Sequence, residues 1–249
     1  MKTKTFLISL LLVSMVLLSC NFVSNIGVNV ITPSDVNISE NRDVSGFTAL
    51  EFGTFGKLNI IQGDVESLNI SGPDNLVPEI RTTVRNGTLI INTEDNLTIR
   101  PLRQDNPLTF TLVVKDLTSL AVSGLGDVQV EPLSTPSMAI DMSGAGMVKQ
   151  NQITTDNLEI TISGLGGIDI SGQATQAQIE ISGAGNVNAP DLQIQTADIT
   201  VSGLGGATLW VTDQLTGVIS GAGNVSYYGN PKASTTSSGL GKFESLGDK

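Results

Sequence analysis

Histidine is absent from the 249 residues, cysteine occurs once, aromatic residues make up 4% and charged residues only 15%. Each shortage removes a class of chemistry. Ser-His-Asp and Cys-His catalysis need an imidazole. Most zinc, haem and non-haem iron sites need histidine or several cysteines, and a lone cysteine closes no intrachain disulfide. Thirteen Lys and Arg against 24 Asp and Glu give a net charge of −11, which disfavours a nucleic-acid partner held by phosphate neutralisation. What the chain has in excess is glycine, with 27 residues.

The single cysteine stands in an informative place. Residues 1–20 run MKTKTFLISLLLVSMVLLSC: two lysines, an apolar run from Phe6 to Leu18, then Ser19 and Cys20. A basic start, a short apolar core and a small residue before a cleavage point make a secretory signal, since a membrane span needs about 20 apolar residues. The stretch Leu17-Leu18-Ser19-Cys20 resembles a bacterial lipobox, which implies a signal peptide over 1–19 and lipidation of Cys20 after cleavage. Two or more acyl chains hold a protein at a bilayer where one is marginal. In Gram-negative sorting Asn21 in place of Asp favours the outer membrane. Residues 20–40 read as a lipidated cysteine and tether. Loss of Lys2 and Lys4 leaves 11 basic and 24 acidic residues, a charge of −13, so the anchor rather than the surface must hold the protein to an anionic bilayer.

Of the 27 glycines, 20 fall within 123–249, and they are periodic. Ser-Gly-Leu/Ala-Gly begins at Ser123, Ser143, Ser163, Ser182, Ser202, Ser220 and Ser238, at spacings of 20, 20, 19, 20, 18 and 18. Before each motif apolar and polar residues alternate, as in Leu120/Val122, Ile160/Ile162 and Ile199/Val201. After it an apolar residue recurs at Val128, Val148, Ile168, Val187, Ala207, Val225 and Phe243. Period two means strands with one buried face. One such unit cannot bury that face alone, whereas stacked units build a continuous core. The pattern therefore predicts an all-β chain, a parallel β-helix or β-solenoid with coils of about 20 residues about 4.8 Å apart. The corners fall at Gly124 and Gly126, Gly144 and Gly146, Gly164 and Gly166, Gly183 and Gly185, Gly203 and Gly205, Gly221 and Gly223, and Gly239 and Gly241. Glycine there meets two demands: a tight turn, expected to need φ > 0 at one position, and close approach of the next corner. Between the glycines stand Leu125, Ala145, Leu165, Ala184, Leu204, Ala222 and Leu240, alternating strictly. Either one stacked column alternates large and small side chains, or the true unit is a double one of 36–40 residues.

Residues 41–122 lack the motif but carry strand patterns at 47–52, 57–61, 67–70, 88–92 and 108–114, with a hairpin turn at Asn86-Gly87 and a loop at 101–107. This part is expected to cap the first repeat coil, because a bare solenoid end is an aggregating edge. A single domain thus spans 41–249. At its far end Trp210, Tyr227, Tyr228 and Phe243 cluster in the last coils, where they either close the core or, for Trp210, Tyr227 and Tyr228, stack on a ligand such as a sugar ring.

The block 42–51 (RDVSGFTALE), then Gln62-Gly63-Asp64, Asn75-Leu76, 87–91 (GTLII), the repeated SGxG units and 225–231 (VSYYGNP) resemble the putative auto-transporter adhesin, head GIN domain family over about residues 41–249. The resemblance implies a right-handed parallel β-helix of the bacterial envelope, secreted or lipid-anchored, with adhesion as its working label and no catalytic motif to transfer.

Rival chemistries are poorly supplied. Gly-Leu-Gly-Gly followed by a strand is not a dinucleotide loop, which must open a helix. A calcium stack needs carboxylates at a fixed place, but the residues after the motif are Asp127, Met147, Gly167, Asn186, Gly206, Asn224 and Lys242. Glycan hydrolysis needs converging carboxylates; Asp141, Asp156, Glu159, Asp169 and Glu180 fit the solvated face of an acidic protein as well. No metal, cofactor or catalytic residue is assigned. The reading is a non-enzymatic, lipid-anchored envelope binding module whose partner is a glycan or surface protein. The alternatives are an envelope scaffold or sensor that binds a protein partner, and a carbohydrate-active β-helix enzyme.

Overall fold

A computed structural model describes residues 29–93, 97–100 and 107–249. The signal segment 1–19, Cys20 and the loop residues 101–106 lie outside the described residues. The chain divides into two compact units. In one, Asn29–Ile31 pairs in parallel with Leu97–Ile99, and Arg100 N donates to Ile31 O at 3.0 Å.

The other unit is a β-solenoid, and its coils have three sides. The first side precedes the SGxG corner, the second follows it, and the third leads back to the first. In the middle of the stack the backbone is extended almost throughout. Met147–Ile162, Gly167–Ile181, Asn186–Val201 and Gly206–Ile219 are each broken from the next only by the SGxG corner, and each pairs in parallel with its neighbours. Consecutive motifs occupy adjacent coils: Ile140 is paired with Ile160, Ile160 with Ile179 and Ile179 with Ile199. The unit is therefore a single coil, and the Leu/Ala alternation runs along one column. The change from 20 residues to 18 is taken up away from the motif, where the register slips between Ala189 and Gln193 and between Ile194 and Thr196.

The alternating aliphatic residues fill the interior. Ile160, Ile162, Ile168, Ile179, Ile181, Ile194, Ile199 and Val201 are all buried, and they stack column on column along the axis. Apolar burial is the main stabilising term for such a chain. At a coil corner Gln150 intrudes into the core: its Nε2 donates to Asn151 O at 3.2 Å and Glu131 O at 3.4 Å, while its buried Oε1 lacks a partner.

The N-terminal part adds two parallel layers and an antiparallel cap. Ala49–Gly53 and Lys57–Gln62 form the layer below the first SGxG coil, pairing with Ser119–Val122 and Asp127–Val130. Below them lie Thr88–Thr93 and Thr109–Val114, later in the chain but lower in the stack. Antiparallel strands then close the end: Ile80–Arg85 beside Thr88–Thr93, and Ser67–Pro73 between Thr109–Val114 and Asn37–Arg42. The Asn86-Gly87 turn has φ of 50° and 77°, the two positive values that a two-residue type I′ hairpin requires. Phe52 and Phe110 meet edge to face at 5.2 Å and 83° inside this part. Asn37–Arg42 is a paired strand, so the folded part begins inside the stretch 20–40 read as tether.

At the other end the core runs out of apolar residues. The last first-side strand, Lys232–Ser237, is exposed at every position and pairs with Gln214–Ile219 of the coil before. Phe243 packs against the end of the core, and Gly217 makes room for it: a Cβ there would stand 2.5 Å from Phe243 Cζ.

Candidate functional site

Three surface features carry side chains that a partner can meet. The first is the SGxG corner. None of its fourteen glycines has a φ in the left-handed region. The expectation of a positive φ is thus corrected. The reason for glycine is the second one alone: a Cβ on Gly144, Gly164, Gly183, Gly203, Gly221 or Gly239 would lie 1.9–2.1 Å from a backbone oxygen of the coil before. The first coil makes a similar fit, since a Cβ on Gly126 would sit 2.2 Å from Phe52 Cε1. Each Leu or Ala between the glycines is exposed while its N–H donates to a backbone oxygen of the preceding layer, Thr54 O for Leu125 and a glycine oxygen for the rest, as Leu165 does to Gly144 O at 3.1 Å.

The second feature is an open polar groove of about 370 Å³ where the third side turns into the first. Asn157, Gln176 and Thr196 stack in one column, and Glu159, Gln178 and Asp198 in the next. Amides, hydroxyls and carboxylates recur there from coil to coil, so each of these coils offers both donors and acceptors. The carboxylates singled out from the sequence are spread through this pattern. Asp141 is flanked by Ala121 and Thr161, Glu159 by Ala139 and Gln178, Glu180 by Thr161 and Thr200, and Asp169 by Lys149 and Asn188. Thr175 Oγ1 donates to Asp156 at 3.5 Å. None of them has another carboxylate as its neighbour in the column, and no three His, Cys, Asp or Glu among the described residues form a metal-binding group.

The third feature is aromatic. Trp210 and Tyr228 are register partners on adjacent coils, and Tyr227 beside them packs against the core as Phe243 does. The three aromatics that sequence reading grouped thus divide, one inward and two outward. The two outward rings share a cation: Lys249 Nζ lies 5.1 Å from the Trp210 ring and 5.6 Å from the Tyr228 ring. The same ammonium donates to Pro190 O and Asp191 Oδ1. Local sequence carries no signal for this contact, because Lys249 and Asp191 are 58 residues apart.

The comparisons agree with this geometry. A crystal structure of a putative adhesin from Bacteroides fragilis is 27% identical, with a TM-score of 0.83 over 87% of this chain and all of that one. A putative lipid binding protein from Parabacteroides distasonis (22% identical, TM-score 0.72, 88% of this chain and all of that one) and a putative adhesin from Parabacteroides merdae (20%, 0.69, 88% of this chain and 99% of that one) share the fold. No curated protein matches the chain. The family model described as putative auto-transporter adhesin, head GIN domain, matches residues 46–231. With the stacked SGxG coils and the capped β-solenoid, this match means that the chain belongs to the putative auto-transporter adhesin, head GIN domain family.

Proposed function

We propose that the protein is a non-enzymatic binding module of the bacterial envelope, anchored through lipid on Cys20 at the outer membrane. Its ligand is a glycan or surface protein taken on the polar groove. One observation carries the reading: in a member of an adhesin family, columns of Asn, Gln, Thr and carboxylate side chains recur at the coil spacing beside the groove. A row of amides and hydroxyls suits a polyhydroxylated chain or an extended backbone, since each coil supplies both donors and acceptors. The acidic surface favours neutral or cationic partners over anionic ones. The rings of Trp210 and Tyr228 offer a second, smaller platform for a sugar face, with Lys249 at its edge.

The test is a binding screen of the full chain against glycan arrays, matrix proteins and whole cells. A ligand should be found, and Gln176→Ala with Gln178→Ala should weaken it about tenfold while leaving the circular dichroism spectrum unchanged. New reducing or unsaturated sugar ends on incubation with polysaccharides would replace this reading with an enzymatic one. Incorporation of labelled palmitate that disappears in Cys20→Ala tests the anchor separately.

A further inference from the structure

The column at the SGxG corner is exposed, yet it is ordered. Leu125 is 72% exposed, Leu165 and Leu204 73% and Leu240 93%. Solitary exposed leucines need no explanation, but a straight row of them does. The fold does not ask for the alternation with Ala145, Ala184 and Ala222. The N–H groups of Ala145, Leu165, Ala184, Leu204, Ala222 and Leu240 make the same bond to the coil before, at 3.0–3.2 Å, whichever residue is present. The glycine contacts on either side are alike as well. Something outside the coil must select large and small in turn.

With coils ~4.8 Å apart, the leucines form knobs at a spacing of ~9.6 Å with alanine gaps between them. A surface of the same period displaced by one coil fills those gaps, and the same ridge on another copy is such a surface. We propose that this ridge is a self-association surface on which a second copy of the chain docks antiparallel, leucines into alanine gaps.

The register follows from the order of large and small residues, since only an axis between coils sets each leucine opposite an alanine. Leu125 N donates to Thr54 O and Asp127 N to Gly56 O, which places Phe55 beneath Leu125; Phe55 packs against the core, so the exposed ridge has seven members, from Leu125 to Leu240. A twofold axis between the coils of Leu165 and Ala184 sets Leu165 against Ala184 of the second copy, Ala145 against Leu204 and Leu125 against Ala222, and leaves Leu240 beyond the interlocked segment, over the coil of Phe55. An isologous contact of this kind closes on itself. In that register the middle of the adjoining second-side column also pairs large with small, because Met147, 43% exposed, meets Gly206 and Gly167 meets Asn186. Charge points the same way. Two molecules at −11 repel most where their carboxylates face each other, whereas this strip is almost neutral. Asp127 has Lys57 as its column neighbour, and Lys242, which this register sets over Lys57 of the second copy, is ion-paired with Glu244 at 3.1 Å, so each lysine brings its own counter-charge. The ridge is ~29 Å long and narrow, so it buries well under the ~1,600 Å² of a standard interface and makes a weak, exchanging dimer.

Sedimentation velocity of the full chain over about 10–500 µM should show a monomer–dimer equilibrium. Leu165→Ala with Leu204→Ala removes knobs and should weaken it about tenfold or more. Ala184→Leu with Ala222→Leu adds apolar surface but fills the gaps, and it too should weaken association about tenfold. These positions are on the surface, so circular dichroism should be unchanged in both pairs. Leu125→Cys combined with Ala222→Cys tests the register. The two sites are too far apart in one chain to join, so oxidation should give a disulfide-linked dimer absent from either single variant, in which Cys20 is the control thiol. The proposal is overturned by a chain monomeric at every concentration, by knob removal without effect, by tighter association when the gaps are filled, or by no cross-link beyond that of the single variants.

Discussion

Gly164 stands where an added methyl group would lie 2.1 Å from Gly144 O and 2.5 Å from Ser143 O. Both obstacles are backbone, which no rotamer change removes, so Gly164→Ala must push two coils apart. The expected cost is about 3 kcal/mol or more, measured as a lower urea midpoint for the variant. Glycine was legible here, because an 18–20 residue period in one residue type has few causes other than stacking. The mechanism was half legible. Sequence offers tight turning and close approach as equal reasons for glycine, and only the backbone angles separate them. The outward direction of Leu125 and Leu165 was not legible. Period two tells which strand residues face inward, but it stops at a corner, where the backbone changes direction.

Among elements, the coil and the hairpin were readable and the layer order was not. Asn86-Gly87 between alternating residues specifies its own turn. Nothing local states that Thr88–Thr93 and Thr109–Val114 lie below Ala49–Gly53 and Lys57–Gln62, because parallel pairing joins segments by stacking rather than by a turn. The last coil shows how one element is finished. Its first side offers Ala233 and Ser237 where the coil before has Leu215 and Ile219, and Phe243 folds over the cleft left by Gly217. Phe243→Ala is expected to loosen this coil by about 2 kcal/mol, less than a fully buried Phe would cost. Hydrogen exchange should then speed up over 232–245 and remain unchanged over 147–181.

For the whole solenoid, each coil touches only its neighbours, so stability is a sum of coil and interface terms rather than one all-or-none quantity. The two ends differ: antiparallel strands and buried Leu68, Ile70, Leu76 and Ile80 close one, and an exposed strand forms the other. Unfolding should therefore begin at the C-terminal end. The single tryptophan lies two coils from that end, so its fluorescence should change at a lower urea concentration than the far-ultraviolet dichroism of the whole chain. Coincident transitions would show that the coils act as one cooperative block. As for function, absent residue types narrowed the field from sequence alone, and repeat spacing placed the columns. The groove and the aromatic pair under Lys249 needed the third dimension, since the groove draws on residues from Thr118 to Asp198 and Lys249 reaches back 58 positions to Asp191.

The direction of the hydrogen bonds has a mechanical meaning. They run along the stack while the covalent chain runs around it. Tension applied along the axis therefore passes through every coil boundary in series, and the boundaries give way one after another, the weakest first. Each boundary that gives way frees 18–20 residues, about 60 Å of extended chain in place of a single ~4.8 Å step. A coil lost at the end thus lengthens the molecule more than tenfold over the space it occupied, and the remaining stack keeps its surface intact while the released thread takes up the strain.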